Sequence, residues 1–330
     1  MRYLVTGGAG FIGSNLAEAL WREGATVRIL DNFSTGKRAN IGHLDIEAIE
    51  GDIRDLEDCR KAARGMDFIL HKAALASVPA SVADPLYSNA VNITGTLNML
   101  TAAREAGTRR FVLASSSSVY GDGPEPVKTE RSGIRPLSPY ALGKLAGEEY
   151  CRMFFSLFGL ETVCLRYFNV FGPRQDPNSE YAAVIPKFIT ALLAGKRPVI
   201  FGDGLQTRDF IFIGDVVRAN LLACSKPAAA GGVFNIACDR GISLLELLDE
   251  IKAVSGNNID PVFEPARLGD VRHSRADISL ARERLDFEPA FTFREAMERT
   301  VEWFRGAGPL TLPPLFTKEL IKGTSALHQP

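Results

Sequence analysis

The chain has 330 residues, enough for one large or two modest domains, and its 46% hydrophobic and 23% charged residues are ordinary for a folded globular protein. A net charge of −1 gives no basic field and excludes nucleic acid as an electrostatic partner. Five scattered cysteines, Cys59, Cys151, Cys164, Cys224 and Cys238, contain no CxxC pair, which argues against zinc or any other structural metal and suits a reducing compartment.

The first predicted strand, Tyr3–Val5, starts so early that no signal peptide is expected before it, and no apolar run is long enough to span a bilayer; a cytoplasmic protein with no membrane partner is predicted. This strand runs into Gly7, Gly10 and Gly13, spaced GxxGxxG, with Phe11 and Ile12 between the last two; a helix is expected over Ser14–Arg22. Glycine lets such a loop turn tightly and approach a pyrophosphate, and the helix N-terminus offers N–H groups and partial positive charge to the phosphates. A second strand, Val27–Leu30, ends at Asp31, 18 residues after Gly13, where an acid accepts hydrogen bonds from an adenosine ribose. Asp31 with no arginine directly beside it favours NAD over NADP, although Lys37 and Arg38 are near; Asn32 joins Asp31 in the expected cofactor-binding set.

Further strands are predicted at Ala48–Glu50, Phe68–His71, Phe111–Ser115 and Thr162–Tyr167, with helices at Leu56–Arg64, Pro85–Ala106 and Pro139–Phe158 between them. Short apolar runs alternating with helices imply an α/β fold: a Rossmann-type doubly wound parallel sheet covered on both faces. Beyond Gly172 the elements shorten and proline and glycine become frequent, so we divide the chain into a cofactor-binding domain over 1–172, a smaller mixed α/β substrate domain over 173–305 and a tail over 306–330 with a weak helical pattern. Ser243 with Glu246 and Thr292 with Glu295 fit capping boxes at helix starts.

Two constellations carry the chemistry. Tyr140 and Lys144 stand at i and i+4, on one helix face. A lysine ammonium there favours phenolate, as would the positive nicotinamide of an oxidised cofactor, and a tyrosine with its pKa lowered toward neutrality is a usable general base for an alcohol. Ser115-Ser116-Ser117-Ser118-Val119-Tyr120-Gly121 closes the fifth strand, where catalytic hydroxyls belong in this architecture.

Taken together, the glycine loop, the serine run and the YxxxK pair resemble the extended short-chain dehydrogenase/reductase family, over residues 1 to about 304. Within it the pattern is most similar to UDP-sugar 4-epimerases. The resemblance makes Ser116, Tyr140 and Lys144 the catalytic set, with Tyr140 and Lys144 also at the cofactor and Ser116 also at the substrate, and implies NAD as cofactor. It adds Asp52 and Ile53 at the adenine, Ala73 and Ala74 lining the cofactor, Asn92 propping the cofactor loop, and Tyr167 near the nicotinamide. On the substrate side it implies Ser77, Ser117, Asn169, Val184, the diphosphate arginines Arg208 and Arg267, and Asp270 at the uridine ribose. Two long helices, Pro85–Ala106 and Pro139–Phe158, are expected to form a homodimer through a four-helix bundle. Related dehydratases carry an Asp-Glu pair where this chain has Ser117 and Ser118, which places that activity low.

FNVFGPRQDPNSEYAAVIPKF and GDVRHSRADIS look most like the branch acting on UDP-N-acetylhexosamines and their uronic acids. Ser274 stands where glucose/galactose-restricted relatives carry a bulky tyrosine, and Ala183, four residues before Lys187, is small where they carry an amide. Ala76 and Ser77 keep the facing loop slim. The alternatives are a UDP-glucose 4-epimerase restricted to non-acetylated sugars, a reductase of a 4-keto sugar, and a non-catalytic NAD-binding sensor or scaffold.

Overall fold

Seven parallel strands form the central sheet of the protein, known here from a computed structural model that describes residues 1–177, 184–266 and 272–306. In chain order the first half runs β1 (Arg2–Thr6), α1 (Phe11–Arg22), β2 (Thr26–Asp31), β3 (Glu47–Glu50), α2 (Leu56–Ala63), β4 (Phe68–His71), α3 (Val78–Ala83), α4 (Pro85–Asn89), a π-helical turn over Ala90–Thr94, α5 (Gly95–Glu105), β5 (Arg110–Ser116), α6 (Pro139–Phe158) and β6 (Glu161–Tyr167). The second half runs β7 (Asn169–Phe171), α7 (Val184–Leu193), β8 (Val199–Phe201), β9 (Thr207–Phe212), α8 (Ile213–Ser225), β10 (Val233–Ile236), β11 (Gly241–Ser243), α9 (Leu244–Ser255), β12 (Val262–Glu264), β13 (His273–Ser274), α10 (Ser279–Leu285) and α11 (Phe293–Phe304).

The sheet order is β10-β6-β5-β4-β1-β2-β3, so the direction of winding reverses between β1 and β4. The crevice outside the carboxyl ends of the strands at such a switch point is where doubly wound folds bind ligands. Residues of one strand alternate between two cores. Tyr3, Val5, Phe68, Leu70 and Val112 pack with α1 and α8, while Leu4, Ile69, Phe111 and Leu113 pack with α2, α5 and α6. Burial on both faces is what makes these strands nearly continuous in apolar residues.

The six expected strands are present, each within one residue of its predicted ends. Two expectations need correction, and one helix was not expected. Helix α1 starts at Phe11, three residues before Ser14, because Gly10 already takes the extended N-cap conformation and the second half of the glycine motif is helical. The helix expected over Pro85–Ala106 is interrupted by the π turn and ends at Glu105; a wide turn shifts side-chain phase without breaking the apolar pattern, so periodicity does not show it. Helix α3, begun by the Ser77 cap and Pro79, is only six residues long and carries no periodic signal.

The second half completes the first rather than standing apart from it. Strand β10 lies parallel to β6 and extends the main sheet. Strand β9 is the hub of a smaller sheet, antiparallel to β11 and parallel to β13 and β7. Both expected capping boxes are formed, at α9 and α11. The Asn15 amide of α1 donates to the Pro173 carbonyl at 3.2 Å, buried Arg174 pairs with buried Glu18 of the same helix, and Lys37 pairs with Asp176 at 2.8 Å. The helix that follows the glycine loop is thereby tied to the segment leading toward α7.

Candidate active site

The loop after β1 is shaped by its glycines. Gly7 has φ +63°, and a Cβ there would stand 2.7 Å from the Ala73 nitrogen. A Cβ on Gly13 would stand 2.0 Å from the Gly7 carbonyl oxygen. The loop and the first turn of α1 therefore fold back on each other and on the end of β4, closer than any side chain allows. Gly10 gives no side-chain cap to α1, so the N–H groups of Phe11, Ile12 and Gly13 open the helix toward the crevice as an anion site.

Asp31 ends β2 beside this loop. Its carboxylate accepts from the Ala9 N–H at 2.8 Å and the Phe33 N–H at 2.8 Å, which fixes its orientation and leaves lone pairs for a diol. Asn32 donates to Asp52 at 2.9 Å, and the Arg54 guanidinium, bonded to the same carboxylate, holds Asp52 down to about 2. Ile53 is buried beneath Gly95. The loop bearing Ala73, Ala74 and Ser77 is held from the π turn: the Asn92 side chain accepts from the Leu75 N–H at 2.9 Å and donates to its carbonyl at 3.2 Å. Asn92 lies in the π turn and is itself packed under Gly143 of α6.

Ser116, Tyr140 and Lys144 come together at the carboxyl end of β5. Ser138 caps α6, and the Tyr140 N–H donates to Ser81 Oγ at 3.1 Å, which seats the first turn against α3. The Ser116 side chain acts on the Tyr140 phenol, lowering its pKa, and Ser116 Oγ accepts from the Ser118 N–H at 3.2 Å. The Lys144 ammonium lies 5.8 Å from the Tyr140 ring centroid and donates to the Ala114 carbonyl at 2.8 Å. The expected lowering of the phenol by this lysine is corrected here. Burial pushes Tyr140 above its ordinary value, with the Ser116 side chain pulling the other way, and burial pushes Lys144 down to about 8. The lysine's hydrogen bond goes to the β5 backbone, so its help to the phenol is electrostatic through space.

One set of residues escaped the sequence. Glu148 continues the Tyr140–Lys144 face by one more turn. It accepts from Ser115 Oγ and from Arg166 Nε and Nη2, the latter at 2.9 and 2.7 Å. Arg166 Nη1 donates to the Tyr120 hydroxyl at 2.9 Å, which donates to the Asn235 side-chain Oδ1 at 2.6 Å. This buried chain locks α6, β5, β6 and β10 in register, so the two neighbouring serines meet the two ends of one helix face. The i+8 spacing from Tyr140 was its only sequence signal. Removing one partner of a buried ion pair costs about 3–5 kcal/mol, so Glu148→Ala is expected to lose stability on that scale in chemical denaturation. A loss below about 1 kcal/mol would show that water or rearrangement rescues Arg166.

Tyr167 stands opposite Ser116 in the β5–β6 register. Its hydroxyl bonds the Asn220 amide group (2.8 and 3.1 Å) and accepts from Lys72 at 3.2 Å. On the substrate side Asn169 donates to the Asp209 carbonyl at 3.1 Å, and Ser274 is the register partner of Arg208 across β13 and β9. Arg208 Nη1 donates to the Thr207 carbonyl at 2.8 Å. Val184 begins α7. Ala183, Arg267 and Asp270 lie outside the described residues.

The model of the NAD dependent epimerase/dehydratase family matches residues 3–237. The chain belongs to that family. A UDP-glucose 4-epimerase of Mycolicibacterium smegmatis is 42% identical over 311 residues, covering 92% of this chain and 99% of that one. Among solved structures, the UDP-N-acetylglucosamine 4-epimerase of Methanobrevibacter ruminantium in complex with UDP-N-acetylmuramic acid is 42% identical with a TM-score of 0.89, covering 93% of this chain and 98% of that chain. The UDP-glucose 4-epimerase of Thermus thermophilus in complex with NAD is 37% identical with a TM-score of 0.85, covering 93% of this chain and 100% of that chain.

As a member of the epimerase/dehydratase family the chain is an enzyme, an isomerase of the nucleotide-sugar 4-epimerase type, with NAD as its cofactor. The residues present fit that cofactor. Side chains are excluded from the pyrophosphate cradle at Gly7 and Gly13, and Asp31 is oriented beside it. The nearby cations that could have served a ribose phosphate are engaged elsewhere: Lys37 with Asp176, and Arg38 with Glu50 at 2.5 Å while lying 3.9 Å over the Phe33 ring.

Proposed function

We propose that this 4-epimerase accepts UDP-N-acetylhexosamines, interconverting UDP-GlcNAc and UDP-GalNAc through a 4-keto sugar. The observation that carries the proposal is the register of Ser274 against Arg208. A small side chain stands beside the arginine expected to hold the diphosphate, on the wall the sugar must pass, and leaves room for a 2-acetamido group. The Methanobrevibacter structure, of an enzyme named for UDP-N-acetylglucosamine, supports the same reading. A second reading, restricted to UDP-glucose and UDP-galactose, draws on the Mycolicibacterium relative, which is named for UDP-glucose and is equally similar.

In the mechanism Tyr140 removes the proton of the sugar 4-hydroxyl, with Ser116 bridging phenol and substrate oxygen. NAD, when bound, supplies the hydride acceptor and returns the hydride, so the reaction needs no added cofactor. Lys144 contributes positive charge beside the phenol ring. Arg208, together with Arg267, grips the diphosphate while the keto sugar turns its other face to the crevice; guanidinium forks suit phosphate oxygens. Asp270 takes the uridine ribose, and Ser77, Ser117, Asn169, Ala183 and Val184 line the sugar. Exposed Val82, Leu86 and Leu142 on α3, α4 and α6 support the homodimer in which α4–α5 and α6 of two copies form a four-helix bundle. The division at 172 belongs to the same proposal, with the cofactor domain borrowing β10 from beyond it.

The test is a paired assay with no added cofactor. UDP-GlcNAc and UDP-Glc are incubated separately with purified protein, and the products are followed by NMR. The proposal expects UDP-GalNAc from the first. Turnover of UDP-Glc with none of UDP-GlcNAc would remove the pocket argument at Ser274 and leave the second reading.

A further inference from the structure

His71 ends β4, is buried, and has no part in the mechanism above. Its two ring nitrogens have one hydroxyl each. Nδ1 lies 2.8 Å from Thr6 Oγ1 of β1, and Nε2 lies 3.2 Å from Thr96 Oγ1 of α5. The hydrogens available decide which nitrogen is protonated. The Thr96 hydroxyl donates its one hydrogen to the Asn92 carbonyl at 2.8 Å, since a carbonyl can only accept. Toward His71 it must therefore accept, so Nε2 carries the hydrogen and Nδ1 is bare. The Thr6 hydroxyl donates to Nδ1. Its oxygen accepts from the Lys72 N–H at 3.1 Å, a hydrogen shared with the Thr6 carbonyl, and from the Ala73 N–H at 3.2 Å. The opposite tautomer would crowd three donors onto the Thr6 oxygen, orphan the Thr6 hydrogen, and face a bare Nε2 with a hydroxyl whose hydrogen is already spent.

These bonds close into a ring around the loop after β4. Thr6 holds that loop at Lys72 and Ala73, the Asn92 side chain holds it at Leu75, and His71 with Thr96 joins the two anchors. Thr6, His71, Asn92 and Thr96 are all buried. The loop matters to the cofactor cradle because Gly7, the residue after Thr6, turns directly against it: a Cβ on Gly7 would stand 2.7 Å from the Ala73 nitrogen. The hydroxyl that receives the Ala73 N–H thus sets how closely the two loops approach. We infer that His71 is a positioning residue for NAD: fixed as the Nε2–H tautomer, it ties the glycine loop of β1 to the loop after β4 and keeps the pyrophosphate cradle in shape. Burial, with Lys144 from α6 and Lys72 at the end of its own strand, keeps the imidazole neutral, as an acceptor at Nδ1 requires. His71 exchanges no proton with substrate or cofactor. The inference rests on NAD as the cofactor and is independent of which sugar the enzyme accepts.

The test uses the holoenzyme in two measurements. The chain has four histidines, so in nitrogen-15 NMR of histidine-labelled protein the signal that survives replacement of His43, His273 and His328 belongs to His71. It should show a protonated Nε2 and a bare, hydrogen-bonded Nδ1; a protonated Nδ1 would overturn the inference. The link to the cofactor is read from the rate at which bound NAD exchanges with isotopically labelled NAD in the medium. Thr96→Val removes the acceptor of the Nε2 hydrogen, at a side chain whose bonds go to His71 and Asn92, and His71→Phe fills the volume but ends the relay. Each is expected to speed exchange about tenfold or more, the scale of one lost buried hydrogen bond. Thr96→Ser keeps the hydroxyl and should exchange at the wild-type rate. A merely structural role would lower the thermal midpoint of Thr96→Val and His71→Phe and leave their exchange unchanged, and that result overturns the inference. Faster exchange in Thr6→Val alone would overturn it too, because the cradle would then depend on Thr6 with nothing relayed through His71.

Discussion

Tyr140→Phe is expected to lose about 10²–10⁴-fold in kcat, the usual contribution of a positioned general acid–base group. The ring packs at the start of α6, and its backbone N–H, which bonds Ser81 Oγ, is untouched by the change. The hydroxyl is the only group removed. Thermal midpoint and NAD content should therefore stay at wild-type values while turnover collapses. Near-normal turnover would show that another group removes the proton, and Ser116 would be the first to examine.

Gly13→Ala should strip the cofactor. The added Cβ would stand 2.0 Å from the Gly7 carbonyl oxygen, 2.7 Å from the Gly7 carbonyl carbon and 2.9 Å from the Gly8 Cα. These are backbone atoms and cannot yield by changing rotamer. Gly7 is itself confined, in a left-handed conformation against the backbone of Ala73. Relief must come from opening the loop away from α1, which moves the helix N–H groups off the pyrophosphate. Overpacking of this kind costs about 1–3 kcal/mol or more, and the larger consequence is for binding. NAD released from the denatured protein should drop to less than about a tenth of the wild-type content. A folded variant with full cofactor content would contradict the cradle described here.

The parallel sheet was legible because both of its faces are buried. Each strand is a short apolar run with helices on either side, and that alternation survives in sequence whatever the partners are. The glycine spacing was legible for a related reason, since backbone packed on backbone tolerates no other residue at Gly7 or Gly13. Features set by contacts distant in sequence were not legible. The π turn at Ala90–Thr94 carries Asn92, which holds Leu75 seventeen residues away, and nothing local marks it. Glu148, Arg166, Tyr120 and Asn235 form one buried chain from four separate stretches, and each alone reads as an ordinary polar residue. Strand β10 joins the first sheet from beyond the boundary that proline and glycine content suggested. The phenol of Tyr140 is the clearest lesson in electrostatics. The i, i+4 spacing places Lys144 on the right face, but its hydrogen bond goes to Ala114, and burial governs the tyrosine.

The central claim is that the hydrogen at sugar C4 leaves and returns within one active site. We would incubate the holoenzyme with unlabelled UDP-GlcNAc in heavy water, adding no cofactor, and examine the epimer by NMR. The account predicts that UDP-GalNAc appears with hydrogen, not deuterium, at C4, and that the reaction proceeds to equilibrium without consuming NADH. Deuterium at C4 of the product would mean that the hydrogen exchanges with solvent as a proton. Such a result would contradict hydride return from the bound cofactor and, with it, the role given to Tyr140.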